Sequence, residues 1–292
     1  MENKLITKRP KLAKPWIYLL ITFIWTWFFW GLAILTGADM KSGSGFALLL
    51  LGVSGPMFTG ITFTYLTRDK AGRKDYWKRV IDFKRIPIRW YLAIFLFALT
   101  LHGLSALVDV LFGGSGATWG EAALDFLANP FSIFLSFLFV TLIPFIEELG
   151  WRGYLLDRLQ EKYSALASSL ILGVLWSLWH LPLCFIPGSY QAGLGVGTLA
   201  FWLFFLGIIP LSLPFTWIYN NTGRSTLAVI LFHAMVNFSG ELILLSESAE
   251  TWYIIWWYIA AVVITVFWGA RTLAQWKNHS KSTITDEPSI TR

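Results

Sequence analysis

Long apolar segments alternate with short polar ones along almost the whole chain. Eight of them are long enough to cross about 30 Å of hydrocarbon as helices, which takes roughly 20 residues each. They lie at 16–36, 45–66, 90–112, 130–152, 165–186, 197–219, 225–245 and 252–273. The pattern predicts an all-α, polytopic membrane bundle of about eight transmembrane helices. Because no segment visibly repeats another, we expect one membrane domain at 16–273, with cytoplasmic tails at 1–15 and 274–292.

The composition agrees with a chain inserted in a membrane. It is 56% hydrophobic and 14% charged, with a mean hydropathy of +0.60, whereas a soluble domain carries about 25% charged residues. The first apolar segment is longer than a signal-peptide core and lacks a small-residue cleavage site, which predicts a retained span. A single cysteine, Cys184, excludes an intrachain disulfide, and we expect it to serve packing.

The basic residues predict the orientation. If all eight segments cross and the N-terminus is cytoplasmic, every lysine and arginine except Lys41 lies on the cytoplasmic side. Both termini are therefore predicted to be cytoplasmic, and the expected location is a bacterial cell membrane. The loop 68–89 is expected to be a topology signal or to lie on anionic headgroups, and no nucleic-acid partner is expected. Residues 115–129 predict a short amphipathic helix on the outer surface, and the tail after Lys277 is expected to be disordered.

Nine polar side chains capable of chemistry fall within or at the ends of the predicted spans. They are His102, Asp109, Glu147, Glu148, Arg152, His180, His233, Asn237 and Glu241. Holding a charge at bilayer depth costs from about 2.5 to more than about 10 kcal/mol, so such charges indicate a functional site. For His102 we expect packing, and for Asp109 and Glu241, near outer span ends, exposure to interfacial water.

Helical spacing predicts how the remaining groups are arranged. Residues four apart share a helix face, so Glu148 is expected to pair with Arg152, within a site or as a salt bridge at the cytoplasmic helix end. Glu147 is rotated by about 100° and left free. His233 and Asn237 share one face of the seventh span.

Depth along the helices decides whether these groups meet. At about 1.5 Å per residue, His233 lies about 12 Å from the start of its span, and Glu147 lies about 20 Å from its helix end if that helix continues to Gln160. His180 lies about 22 Å from the start of its span, where Pro182 is expected to kink the helix. Convergence of three helices is therefore a prediction that requires the fifth span to tilt or to start late.

These residue types suit the hydrolysis of an amide. A buried carboxylate suits a general base that takes a proton from water and returns it later, which is the predicted role of Glu147. The negative charge that attack builds on the carbonyl oxygen is expected to be stabilised by Asn237 and by one or both of His180 and His233. The alternative is a zinc site formed by Glu147 or Glu148 with His180 and His233. Because the chain has no His-Glu-x-x-His helix, the sequence signal for zinc is weak.

Three motifs, in order, resemble those of the CPBP family, the CAAX proteases and bacteriocin-processing proteins also called the Abi family. The family's Glu-Glu-x-x-x-Arg, Phe-x-x-x-His and His-x-x-x-Asn appear as Glu147-Glu148-Leu-Gly-Trp-Arg152, Trp176-Ser-Leu-Trp-His180 and His233-Ala-Met-Val-Asn237. Trp176 stands where the family usually has Phe, and Trp151 replaces the common Phe before the arginine. Because both remain aromatic, wall packing is expected to change before chemistry does. The motif-bearing core spans about 130–240.

The resemblance implies an intramembrane endopeptidase similar to the enzymes that remove the last three residues of prenylated CAAX proteins. It implies that Glu147 activates water and that His180 supports the water or the substrate. It further implies an oxyanion site of His233 and Asn237, with the helix braced by Glu148 and Arg152. The implied partners are a membrane-associated peptide or protein substrate and the lipid bilayer. The cofactor is open, with a metal-free mechanism favoured and Zn²⁺ as the alternative.

Two other functions fit parts of the sequence. Polar residues on several helices are also found along transport paths. A transporter, however, calls for polar residues along the whole pathway and often a repeated half, whereas the polar set here is clustered. The other alternative is a non-catalytic immunity or scaffold protein of the same family, which an intact set of motif residues disfavours.

Overall fold

The computed structural model describes residues 14–274, so nearly all of the two predicted tails lies outside the described residues. The α-helices are α1 (Pro15–Thr36), α2 (Gly43–Val53), α3 (Gly55–Thr67), α4 (Lys70–Ile81), α5 (Ile88–Leu111), α6 (Glu121–Ala128), α7 (Ser132–Val140), α8 (Leu142–Gly150), α9 (Leu156–Gln160), α10 (Ala165–Trp179), α11 (Tyr190–Gly193), α12 (Leu199–Asn221), α13 (Thr226–Leu242) and α14 (Glu247–Trp268). Two 3₁₀ turns lie at Phe83–Arg85 and Leu181–Phe185, and a π-helical turn lies at Trp151–Leu155.

Seven helical stretches of the described chain are long and apolar enough to cross a membrane, and α13 is a shorter apolar helix of 17 residues. The predicted polytopic helical membrane bundle is confirmed. The second stretch is interrupted at Ser54, where Pro56 stands in the first turn of α3. The fourth stretch runs from Ser132 to Gln160 and so extends well beyond the predicted end at residue 152.

Contacts between loops show that the spans run in alternating directions. At one end, the loop after α1 meets the loop after α10, and the loop after α5 meets the start of α14. The backbone bonds there are Met40 N–H to Pro187 O and Ser246 N–H to Gly116 O. At the other end, the start of α10 meets the segment after α14, and the segment after α4 meets the turn after α12. The bonds there are Ala165 N–H to Arg271 O and Arg85 Nη1–H to Gly223 O.

The fourth span is a composite helix built from α7, α8, the π turn and α9. Its middle packs closely on α3, since a Cβ on Gly150 would lie 2.2 Å from the Pro56 carbonyl oxygen and one on Gly60 would lie 2.9 Å from the Gly150 Cα. Only glycines permit this approach. At the start of the π turn, the Tyr76 hydroxyl of α4 donates to the Leu149 carbonyl at 2.9 Å. A π turn widens a helix locally and is common at functional sites.

The basic loop predicted at 68–89 folds onto the protein. Asp157 of α9 accepts hydrogen bonds from three guanidiniums and from the Tyr219 hydroxyl; the arginines are Arg68 (3.1 Å), Arg79 (3.0 Å) and Arg224. Burial disfavours the charge of Arg79, but Tyr219 and Asp157 outweigh burial and raise the pKa of that guanidinium. The loop is therefore a docked structural element as well as a source of positive charge.

A two-stranded sheet was not predicted. β1 (Ala117–Trp119) pairs antiparallel with β2 (Ile243–Leu245), so the predicted helix at 115–129 is confined to α6. The prediction that Asp109 is exposed to water is wrong, because the residue is buried at 2% exposure. Its carboxylate accepts from the Gly116 N–H at 2.8 Å and from the Ser246 hydroxyl at 2.9 Å. Asp109 thus fastens the segments that flank the sheet.

Two smaller expectations are confirmed by the packing. His102 is buried, with Nδ1 at 3.0 Å from the Ala98 carbonyl oxygen and its ring against Tyr253. Cys184 is buried beside Phe201 and Phe205.

Candidate active site

Glu147 and Glu148 lie inside the bundle, on α8 where it packs against α3. Their exposed fractions are 3% and 0%. The helix does not end after them, because the chain continues through the π turn and α9 to Gln160. The prediction of a salt bridge at the cytoplasmic helix end is therefore wrong, and both carboxylates belong to the protein interior.

One oxygen of Glu148 serves two partners. Its Oε1 accepts from Arg152 Nη1 at 2.7 Å, as the spacing predicted, and from His233 Nδ1 at 3.0 Å, which the spacing did not predict. Because Nδ1 donates to the carboxylate, Nε2 of a neutral His233 ring carries no proton. Donation from Nε2 to a substrate oxygen therefore requires the doubly protonated ring, whose charge Glu148 would balance.

Two aromatic rings enclose the Arg152 guanidinium. Its Cζ lies 4.7 Å from the centroid of Trp176 and 4.3 Å from that of Phe215. Nε and Nη2 of this buried side chain make no hydrogen bond within residues 14–274. The faces of the two rings stabilise a planar cation at this depth, where further hydrogen-bond acceptors are lacking.

Glu147 has a different environment from its neighbour. The indole Nε1–H of Trp176 donates to Glu147 Oε2 at 2.8 Å. Its other oxygen, Oε1, makes no hydrogen bond within the described residues. Glu148 is thus held by charged or ionisable partners, whereas Glu147 has one oxygen fixed by a neutral donor and one oxygen open to a further partner.

His180 lies at the C-terminal end of α10, because the helix ends at Trp179 and Leu181–Phe185 continues as a 3₁₀ turn. The predicted kink at Pro182 is therefore wrong, because the α-helix ends before this proline. His180 Nδ1 lies 2.7 Å from the Trp176 carbonyl oxygen, which can only accept, so Nδ1 carries the proton and Nε2 is free to accept one. The ring packs edge-on against Trp179 and Phe204.

The predicted meeting of three spans occurs around Trp176. The ring centroid of Trp176 lies 5.2 Å from that of His233 and 5.9 Å from that of His180. With the bond to Glu147, this side chain contacts residues of α8, α10 and α13. The fifth span needs no late start for this contact, because α10 begins at Ala165 and Trp176, one turn before His180, reaches Glu147.

Asn237 lies one turn beyond His233 on α13, is exposed, and makes no hydrogen bond within residues 14–274. One turn further, Glu241 is exposed as predicted and lines a groove of about 950 Å³. The groove is formed mainly by apolar side chains of α7 and the start of α8, with Glu121 and Asp125 of α6 on its rim. Buried His233, exposed Asn237 and Glu241 at the groove therefore lie at successive turns on one face of α13.

Comparisons with known proteins match the region of the chain that contains these residues. A sequence model of the family described as Type II CAAX prenyl endopeptidase Rce1-like matches residues 129–239, which contain all three motifs. The curated protein "CAAX prenyl protease 2" of Methanococcus maripaludis is 30% identical over 243 residues, covering 81% of this chain and 87% of that protein. The chain belongs to the Rce1-like CAAX prenyl protease family. It is an integral membrane protein and an intramembrane endopeptidase, and the transporter and scaffold alternatives are not favoured.

The zinc set considered from the sequence does not assemble in this Rce1-like protease. Within residues 14–274, no three His, Cys, Asp or Glu side chains are grouped closely enough to hold a metal ion. One oxygen of Glu147 is held by Trp176, and His233 is bonded to Glu148 through Nδ1.

Sequence reasoning missed two members of the protease site. Trp176 was interpreted as a wall residue, yet it donates to Glu147 and covers Arg152. Phe215 of α12 covers the other face of Arg152 and contacts His233 at a ring distance of 5.3 Å. A Trp at the family's Phe position, four residues before His180, was the available signal for the first. Phe215 lies in an apolar helix and had no signal.

Proposed function

We propose that this protease hydrolyses a peptide bond with Glu147 as the general base. The observation that carries the proposal is the contrast between the two carboxylates: Glu148 is engaged by Arg152 and His233, whereas Glu147 keeps Oε1 free beside Trp176. A free oxygen on a fixed carboxylate is what a base needs to bind and deprotonate water.

The steps follow from the groups present. Glu147 takes a proton from water while the water oxygen forms a bond to the scissile carbonyl carbon, which gives a tetrahedral intermediate. The C–N bond then breaks, and the proton held by Glu147 passes to the leaving amine. The Asn237 amide, with His233 when its ring is doubly protonated, stabilises the oxyanion. His180 Nε2 accepts a hydrogen bond from the attacking water or the substrate.

The proposed substrate is a membrane-associated protein of the prenylated CAAX type. Support comes from the name of the Methanococcus maripaludis relative and from the largely apolar groove that Glu241 lines, two turns along α13 from His233. We further propose that both termini are cytoplasmic, because the loops at one end of the described bundle carry nearly all of its basic residues while Lys41 lies at the other. A bacterial cell membrane remains the expected location.

The test is cleavage of a prenylated peptide that ends in a CAAX sequence, by protein purified in mild detergent. Glu147→Gln is expected to lower kcat by about 10²–10⁴-fold. Glu247→Gln, which neutralises an exposed carboxylate at the start of α14, is the matched control and is expected to be fully active. A Glu147→Gln variant that cleaves like wild type would overturn the proposal.

Two further arms of this experiment address substrate and metal. The same peptide without its prenyl group is expected to be cleaved with a higher KM, because the apolar groove would lose a ligand. A chelator of divalent metals is expected to leave activity unchanged. Loss of activity on chelation and its return with Zn²⁺ would instead support a metal-dependent mechanism.

A further inference from the structure

We propose that the indole N–H of Trp176 is a positioning group for catalysis, which fixes the Glu147 carboxylate so that one chosen oxygen faces the attacking water. The inference rests on the proposed function, since it assumes that Glu147 is the base. Its subject is a single hydrogen bond, from Trp176 Nε1 to Glu147 Oε2 at 2.8 Å. A hydrogen bond to a carboxylate is short and strong compared with one between neutral groups.

Trp176 is suited to this task because its own position is determined from several sides. Its ring covers the Arg152 guanidinium and packs edge-on against Phe215 at 5.4 Å. Its carbonyl oxygen accepts from His180 Nδ1 at 2.7 Å. The side chain is 3% exposed, so little freedom is left for the indole to rotate. A donor held this firmly passes its orientation on to the group that it binds.

The hydrogen bond to Oε2 of Glu147 also leaves Oε1 as the oxygen that can face the attacking water. A buried carboxylate with no partner can rotate about its last bond and present either oxygen. With Oε2 held by Trp176, that rotation is restricted and Oε1 is the oxygen left without a partner within the described residues. A base that is already oriented avoids part of the entropic cost of reaching the transition state.

Trp176→Phe removes this hydrogen bond while it keeps an aromatic ring over Arg152 and the backbone carbonyl that binds His180. The matched control is Trp30→Phe, because Trp30 is also buried and its indole N–H donates to the Leu49 carbonyl at 3.2 Å and not to Glu147. Both variants lose one buried indole donor and the same side-chain volume, so their effects on stability should be similar.

The measurement is the pH dependence of kcat and kcat/KM for a prenylated CAAX peptide. In Trp176→Phe we expect kcat to fall about tenfold or more, with KM within about twofold, which corresponds to at least about 1.4 kcal/mol in the transition state. We also expect the acidic limb of the rate profile to move to higher pH by about one unit, because the ionised carboxylate loses a donor. Trp30→Phe should keep the wild-type profile.

A Trp176→Phe enzyme with unchanged kcat and an unchanged acidic limb would overturn the inference. So would an equal fall in kcat for both variants with no shift of either profile, since that result reports packing alone. Failure of the proposed function is distinguishable, because it would appear as activity in Glu147→Gln. If Glu147→Gln is inactive and Trp176→Phe behaves like wild type, the base assignment stands and only the positioning role fails.

Discussion

Replacing Glu148 by Gln should leave a buried guanidinium without its anion. Glu148 and Arg152 are both fully buried, and the only hydrogen bond of the guanidinium among the described residues is to Glu148 Oε1. Removing one member of a buried ion pair typically costs about 3–5 kcal/mol, because the other charge stays desolvated. We therefore expect Glu148→Gln and Arg152→Met each to lower the free energy of unfolding by that amount.

The double variant is the informative one. Glu148 Oε2 and two nitrogens of Arg152 have no hydrogen-bond partner within residues 14–274, so the pair is incompletely compensated. Replacing an entire pair of this kind with neutral groups is often neutral or stabilising. Glu148→Gln/Arg152→Met is therefore expected to be more stable than either single variant. It should nevertheless remain poorly active, because His233 has lost the carboxylate that would balance the charge of its doubly protonated ring.

Unfolding in mixed micelles, followed by tryptophan fluorescence, gives the free energy of unfolding of wild type, the two single variants and the double variant. Contacting residues couple by about 0.5–3 kcal/mol, whereas independent residues add within about 0.5 kcal/mol. A double variant whose loss equals the sum of the single losses would refute the reasoning, because it would mean that the ion pair is not the reason for the single effects. Recovery of activity together with stability would refute the assigned link between Glu148 and His233.

The other predictions concern stability and the oxyanion site. Asp157→Asn should lower the free energy of unfolding by about 3–5 kcal/mol because three arginines share that carboxylate, whereas the partly exposed Asp75→Asn should cost about 1 kcal/mol or less; equal losses would contradict the role of the cluster. Gly150→Ala places a methyl group 2.2 Å from a carbonyl oxygen of α3 and should lower the unfolding midpoint, while Gly103→Ala, with nothing within 4 Å, should not; similar midpoints would contradict the close approach. Asn237→Ala should lower kcat by about 10²–10³-fold with unchanged unfolding, because its side chain makes no hydrogen bond within the described residues; full activity would exclude it from the oxyanion site.

Most of the membrane-spanning helices could be predicted from the sequence, because hydropathy reflects the bilayer and not particular contacts. The end of the fourth span could not. Arg152, Asp157 and Arg158 make the chain after Glu148 look polar, yet rings from distant helices cover Arg152 and an arginine of α4 pairs with Asp157, and both residues are buried. The exposure predicted for Asp109 was wrong for the same reason, because the Gly116 N–H and the Ser246 hydroxyl, from segments outside its helix, donate to its carboxylate. The three-residue strands are too short for a periodic signal.

In the candidate site, too, the contact within one helix could be predicted, whereas the contacts between helices could not. The Glu148–Arg152 pair is local and follows from helical spacing. The bond from His233 to Glu148 spans 85 residues, and that from Trp176 to Glu147 spans 29, so each depends on how one helix is rotated against another. Spacing within a helix does not contain that rotation. Motif order indicated which helices meet, but not which atoms face each other.

The hydroxyl of Tyr76 connects α4 to the helix that carries Glu147 and Glu148. It bonds the carbonyl of Leu149, the residue directly after the acid pair, where the wide π turn is about to begin. Docking of α4 and the shape of that turn are therefore linked, and such a linkage acts in both directions. A lipid or protein that draws α4 from the bundle would disturb the helix beside Glu148, and a substrate that reshapes the turn would loosen α4.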